Sequence, residues 1–194
     1  MCCRSELGLN LAWLLFFQAS AATHASEVRH LEVSAHRGRY RVEIEVLINA
    51  DQESVQNIVQ DHNGLYRLSR IIRRSRDLGS LPGQLPRREL TLEACIRFFC
   101  MAPRMIEEIE RQAHGDIITR IVPEESDFSY GGSHWRTWRV SAQASRIELN
   151  AELTPAFWVP PLIGPWVLKH KLRVAALETC ERLERLARGP QLSP

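Results

Sequence analysis

The run from Pro165 to Arg188 constrains this chain more than any other segment. Pro165 can open a helix at a position where its missing N–H is no loss, and Gly189-Pro190 closes it. The run therefore reads as one helix of about 36 Å at ~1.5 Å per residue. Wound at about 100° per residue, it gathers Leu168, Leu172, Ala175, Ala176, Cys180, Leu183, Leu186 and Ala187 into one broad apolar stripe. A rod of that length is long enough to cross a whole sheet, and the stripe has to be covered along its length. A second stripe, Ile163, Trp166, Val167, Val174 and Leu177, exists in the first half alone; beyond it that face turns to Glu178, Glu181, Arg185 and Arg188. Such a patch either meets a neighbouring loop or short helix, or forms a cavity mouth or membrane-facing surface.

The segments before the helix supply the sheet. From Gly38 to Ala50, Tyr40, Val42, Ile44, Val46 and Ile48 share one parity while Arg39, Arg41, Glu43 and Glu45 share the other, the pattern of a half-buried strand. His36-Arg37-Gly38 gives a turn before it, with Val28 to Val33 as a short partner. Asp51 then caps a short helix carrying Val55, Ile58 and Val59, and Gly64 to Ser69 reads as a second short helix with Leu65, Tyr66 and Leu68. Arg70 to Leu78 follows as an arginine-rich strand. Leu90, Leu92, Ala94, Ile96 and Phe98 alternate with charged or polar neighbours as another. Between Arg104 and Gln112, Ile106 and Ile109 break parity, which predicts a bulge. Ile117 to Val122, His134 to Ala142 and Arg146 to Leu153 complete a run of strands joined by short connections, hence an antiparallel sheet and an α+β chain.

The N-terminus is predicted to lie outside this fold. Arg4, the apolar stretch Leu7 to Phe17 and the small residues Ala19-Ser20-Ala21-Ala22 follow the order of a secretory signal, with residues 1–25 removed and 26–190 forming one domain. The competing reading, a membrane anchor, is weakened by Asn10 and Gln18, which leave the apolar core short of the ~20 residues that span a bilayer. Export implies an oxidising compartment, the periplasm. Of the cysteines that remain, Cys95 and Cys100 would point to opposite faces of a straight strand about 16 Å apart. A disulfide between them requires a turn inside Cys-Ile-Arg-Phe-Phe-Cys; otherwise they are buried thiols.

Charge and motif content exclude several functions. Lys and Arg number 25 against 23 Asp and Glu, a net charge of +2 that carries no nucleic-acid footprint. Gly-rich phosphate loops, zinc-ligand spacing and nucleophile elbows do not occur, so no metal, cofactor or catalytic residue is assigned, and an enzyme is the less favoured reading. Arg67, Arg70, Arg73, Arg74 and Arg76 form the densest cationic run. They read as a solvated strand edge or as a transient contact with anionic lipid head groups.

One strand, two short helices, a run of antiparallel strands and a long final helix resemble the order of the START-like, or helix-grip, superfamily. Tyr40 to Val46, Ile58-Val59-Gln60-Asp61, Leu65-Tyr66-Arg67-Leu68 and the block Pro155 to Gly164 resemble its polyketide cyclase/dehydrase and coenzyme-Q-binding branches. The resemblance implies a curved antiparallel sheet wrapped around the C-terminal helix with an elongated apolar cavity between them, and a protein that holds or transfers a lipid, quinone or similar hydrophobe. The alternative on the same scaffold is an enzyme acting on an aromatic or polyketide-like substrate. Strand parity puts Leu92, Ile96, Phe98, Trp138 and Val140 inward, while the resemblance implies Leu65 and Tyr66 of the second short helix at a lid and Phe157, Trp158 and Trp166 at the helix entrance, each either lining a pocket or filling a core. If Trp138 faces inward, His134 and Arg136 do too and Trp135 faces out; Arg136 then meets a ligand head group or an acid such as Glu108 or Glu148.

Overall fold

In a computed structural model, residues 26–96, 99–159 and 164–189 are described. Strands β1 (Glu27–His36) and β2 (Arg39–Ile48) pair antiparallel through a turn of only Arg37 and Gly38. Both turn residues take positive φ, 49° and 80°, which matches the right-handed twist of the flanking strands. The partner strand is thus longer than the Val28 to Val33 expected from its sequence. In β2 the inward set is buried from Tyr40 to Ile48. Helix α1 (Gln52–Gln60) starts on Asp51, whose carboxylate accepts the Ser54 N–H at 2.9 Å, and it buries Val55 and Val59. The second short helix is one 3-10 turn, Leu65–Arg67.

The chain continues through β3 (Ile72–Gly79), β4 (Arg87–Leu92), β5 (Ala94–Ile96), β6 (Phe99–Met101), β7 (Arg104–Arg111), β8 (Ile117–Ile121), β9 (Phe128–Ser141) and β10 (Ala144–Pro155) to α2 (Gly164–Ala187). Eight strands form one curved antiparallel sheet in the order β1-β2-β10-β9-β8-β7-β4-β3. The parity run Leu90 to Phe98 does not form one strand. It stops at Leu92, Glu93 N–H donates to Ile71 O at 2.7 Å, and β5 turns into a separate two-stranded hairpin with β6. Cys95 and Cys100 lie directly opposite there and are joined by a disulfide. Phe98 and the side chain of Ile96 lie outside the described residues, as do the signal segment and Ile163.

No bulge accounts for the broken parity of β7: its pairing with β4 and β8 runs without a register shift. Ile109 joins the core, whereas Ile106 points to the opposite face. That face is covered by residues 122–126, where Val122 N–H donates to Ile106 O and Ile106 N–H to Ser126 Oγ. A strand covered on both sides has no reason to alternate.

Helix α2 lies in the concave face of the sheet. Its stripe places Ala175, Cys180 and Leu183 at 6% exposure or less, packed with Ile44, Val46, Ile147 and the buried side of α1. Arg188 Nε–H reaches Asn49 O and pins the helix end beside the β2–α1 junction. Gly189, at φ 68°, closes the last turn by donating to Leu186 O. The observed architecture is the α+β helix-grip arrangement expected from the order of elements.

Candidate functional site

The inward faces of β2, β10, β9, β8, β7 and β4 do not meet α2 along its whole length. A cavity of about 220 Å³ remains between them, walled by Val42, Ile44, Val46, Leu149 and Trp135 on the sheet side and by Leu172, Ala175, Ala176, Thr179, Cys180 and Leu183 on the helix side. A second cavity of about 100 Å³ lies toward the start of α2, between Leu92, Cys95, Met101 and Phe128 on one side and Phe157, Trp158, Leu168 and Lys171 on the other. The two share Ile71, Leu153 and Leu172 in their walls, so they adjoin along α2. Together they follow α2 from Leu183 to Leu168, about 22 Å at ~1.5 Å per residue. An apolar cavity of ~150 Å³ is already large enough to stay dry and accept benzene.

Of the residues expected to line a pocket, Leu65 lines the larger cavity, and Leu92, Phe157 and Trp158 the smaller. Tyr66 is 50% exposed and Trp166 is 73% exposed, stacked on His170, so neither wall includes them. The parity of β9 is the reverse of that expected. Trp135, opposite Leu149 and Ile117, faces the cavity with Ser133. His134, Arg136 and Trp138 face the outer surface, and exposed Val140 also lies outside the cavity walls. There Arg136 donates to its cross-strand partner Glu148 at 2.7 Å, Trp138 lies between Arg136 and Arg146 at 5.5 and 4.4 Å, and His134 meets Asp116 at 3.3 Å. The physical reason is desolvation: facing outward, Arg136 keeps solvent contact, whereas inside it would have been buried in an apolar wall. Cross-strand partners share a face, so the clear alternation of Ile147 and Leu149 was the signal that fixes Trp135 inward.

Several polar residues of the cavity wall escaped the sequence reading, among them Arg88, Glu107 and Ser69. Arg88 and Glu107 are 6% and 4% exposed, and Arg88 Nε–H donates to Glu107 Oε2 at 2.7 Å. Glu107 Oε1 accepts from Thr119 Oγ1, which also meets Ser133 Oγ, both at 2.9 Å. Ser69 is 3% exposed, and its Oγ has no hydrogen-bond partner among the described residues. Nothing in sequence spacing marks Arg88, Glu107 and Thr119 as neighbours, because β4, β7 and β8 bring them together from separate parts of the chain. Charged residues at inward positions of β4 and β7 are the one hint.

Cys180 in the cavity wall and the buried His62 are both pushed toward their neutral forms. Burial, with a smaller contribution from Glu181, pushes the Cys180 thiol up to about 12, so it is an inert part of the wall. Burial first and the Arg88 charge second depress His62 below its ordinary range, although Asp77 opposes them. In the arginine run, Arg67 pairs with Asp61, Arg70 with Glu178, Arg73 with Glu93 and Arg76 with Glu89, so four of its five cations have a carboxylate partner.

No protein-family model matches this chain, and no curated protein matches it. Solved structures do. An aromatase/cyclase from Streptomyces sp. R1128 superposes with a TM-score of 0.61 at 14% identity, covering 77% of this chain and 94% of that one. A START superfamily protein from Mycobacterium smegmatis gives 0.60 at 19% identity, covering 79% and 99%. A STAR-related lipid transfer protein from Xanthomonas axonopodis gives 0.57 at 13%, covering 81% and 98%. Taken with a curved eight-stranded sheet clasping one long helix, these likenesses identify the fold of the chain as START-like.

Proposed function

We propose that the protein is an exported carrier that binds one compact hydrophobic molecule in the cavities along α2. The observation that carries this reading is the empty space itself: an apolar cavity of about 220 Å³ adjoining one of about 100 Å³, where a chain free to pack would have placed side chains. Burying ~300 Å² of ligand tail is worth roughly 7 kcal/mol before the costs of association. The volume suits a molecule of one or two rings or a short chain better than a two-chain lipid, since drug-sized pockets run from ~300 Å³ upward. A quinone-type or polyketide-like ring falls within that range, and release of such a molecule unchanged distinguishes a carrier from the cyclase alternative.

Export to the periplasm is supported by the signal-like order of residues 1–25 and by the Cys95–Cys100 bond, a linkage that persists in oxidising compartments. Delivery at a membrane surface is supported by Trp158, 70% exposed in the wall of the smaller cavity, and by Trp166, 73% exposed in the first turn of α2. The arginine run from Arg67 to Arg76 adds a weak, salt-sensitive attraction, because its cations are largely paired. Native mass spectrometry of the purified mature protein tests the reading. A stoichiometric, organic-extractable hydrophobe supports it; a preparation that neither carries a hydrophobe nor takes one up on titration refutes it.

A further inference from the structure

The outer face of the β1–β2 hairpin carries a second candidate site, independent of the carrier reading above. Strand alternation puts His30 and Glu32 of β1 on this face together with Arg41, Glu43 and Glu45 of β2. The antiparallel register then sets Glu32 directly opposite Glu43, and His30 opposite Glu45. The ligating atoms of His30, Glu32 and Glu43 all lie within 4.8 Å of one another, a grouping that no other His, Cys, Asp and Glu side chains make among the described residues. Bonds of about 2.0–2.2 Å to a single ion hold neighbouring ligand atoms roughly 3–3.5 Å apart. His30 and Glu32 are exposed and Glu43 is partly so, which leaves their side chains free to close that gap.

The charge pattern points the same way. Like charges directly opposite on paired strands are destabilising. Elsewhere on this face arginine answers each carboxylate: Arg136 meets Glu148 at 2.7 Å, Arg41 meets Glu152 at 3.4 Å and Arg146 meets Glu45 at 3.7 Å. Between Glu32 and Glu43 nothing comparable stands. Arg41 is 3.8 Å from Glu43 and is shared with Glu152, and no hydrogen bond or ion pair joins the side chain of His30 or Glu32 to another described residue. One imidazole nitrogen with two carboxylates suits a divalent ion of the first transition row, zinc above all, rather than calcium, which takes about six to eight oxygens.

We propose that His30, Glu32 and Glu43 bind one zinc-type cation, with water in the remaining position, and that the ion fastens β1 to β2. It neutralises the facing carboxylates and links two strands at the edge of the sheet, where β1 has no neighbour on its other side. No linear motif marks the site, because its third ligand comes from the partner strand. Cys180, the free thiol among the described residues, is buried and offers no competing ligand.

Calorimetric titration of the untagged mature protein with zinc chloride, beside calcium chloride, tests this. One zinc ion per chain is expected, and calcium should not bind at concentrations that saturate zinc. His30→Ala and Glu32→Gln should each weaken zinc binding by about tenfold or more, whereas His36→Ala, at another exposed histidine of β1, should leave it intact. Zinc should also raise the Tm of the wild-type protein but not of His30→Ala. These are exposed side chains, so an unchanged Tm in metal-free buffer is expected and checks that each variant folds. Calcium binding as tight as zinc, or zinc binding that survives His30→Ala, identifies a plain acidic patch and overturns the proposal. Equal losses in His30→Ala and His36→Ala, or no zinc binding at all, also overturn it. None of these outcomes bears on the carrier reading.

Discussion

Ala175→Leu puts the empty space beside α2 to a direct test. Ala175 is 6% exposed and lines the larger cavity, and leucine at this helical position adds three carbons to its wall. If each takes about the ~30 Å³ share of a water molecule, they fill less than half of the 220 Å³ present. Three newly buried carbons contribute roughly 2.4 kcal/mol at about 0.8 each, and loss of leucine rotamer freedom takes back ~0.5–1 kcal/mol. The variant should therefore be more stable by about 1.5 kcal/mol, which for a domain of this size raises Tm by roughly 3–6 °C. Differential scanning calorimetry of ligand-stripped protein reads that shift directly, and titration with acetylnaphthalene should show weakened binding at the same time. The opposite sign refutes the reasoning. In a solid interior the added carbons force strain worth about 1–3 kcal/mol, and Tm falls.

The two tryptophans of β9 should separate cleanly on urea denaturation: Trp135→Ala loses about 3 kcal/mol or more because it empties a cavity wall, whereas Trp138→Ala loses only about 1 kcal/mol of outer-surface cation–π contact. Arg88→Met alone leaves Glu107 charged and buried and should cost about 3–5 kcal/mol, most of it recovered in Arg88→Met/Glu107→Met; a double variant no better than the single would show that the ion pair is not the reason. His62 is held neutral, its folded pKa below the unfolded value of 6.5, so the unfolded chain binds the extra proton first. Stability attributable to it is complete above that value and is lost as pH falls through 6.5 toward the folded pKa, a slope that His62→Gln should flatten in Tm measurements from pH 7.5 to 5.

Much of the architecture was legible because the relevant patterns are local. The alternation of Tyr40 to Ile48, the stripe from Leu168 to Ala187 and the Arg37-Gly38 turn each act within a few residues, and each appears in the fold where the pattern put it. The misreadings share a different cause. At Leu90 to Phe98 the parity was continuous, but strand length is set by what the neighbours can pair, and β4 leaves the main sheet after Leu92. At Trp135 and Trp138, two large residues of opposite parity made the inward face ambiguous within β9, and only its register against β10 decides between them. At β7, Ile106 broke the alternation because a loop covers the outer face. Arg88, Glu107 and Thr119 are close only through the order of strands in the sheet, information that no local window contains.

The claim beneath all of this is that a hydrophobe occupies the space between sheet and helix. Methyl-labelled protein with bound acetylnaphthalene offers the most direct measurement, by intermolecular NOEs from the ring protons. The account predicts NOEs to Leu172, Ala176 and Leu183 together with Leu149 and Val46 across the cavity. NOEs confined to the exposed side of α2 around Val174 would place the molecule on the surface and contradict it.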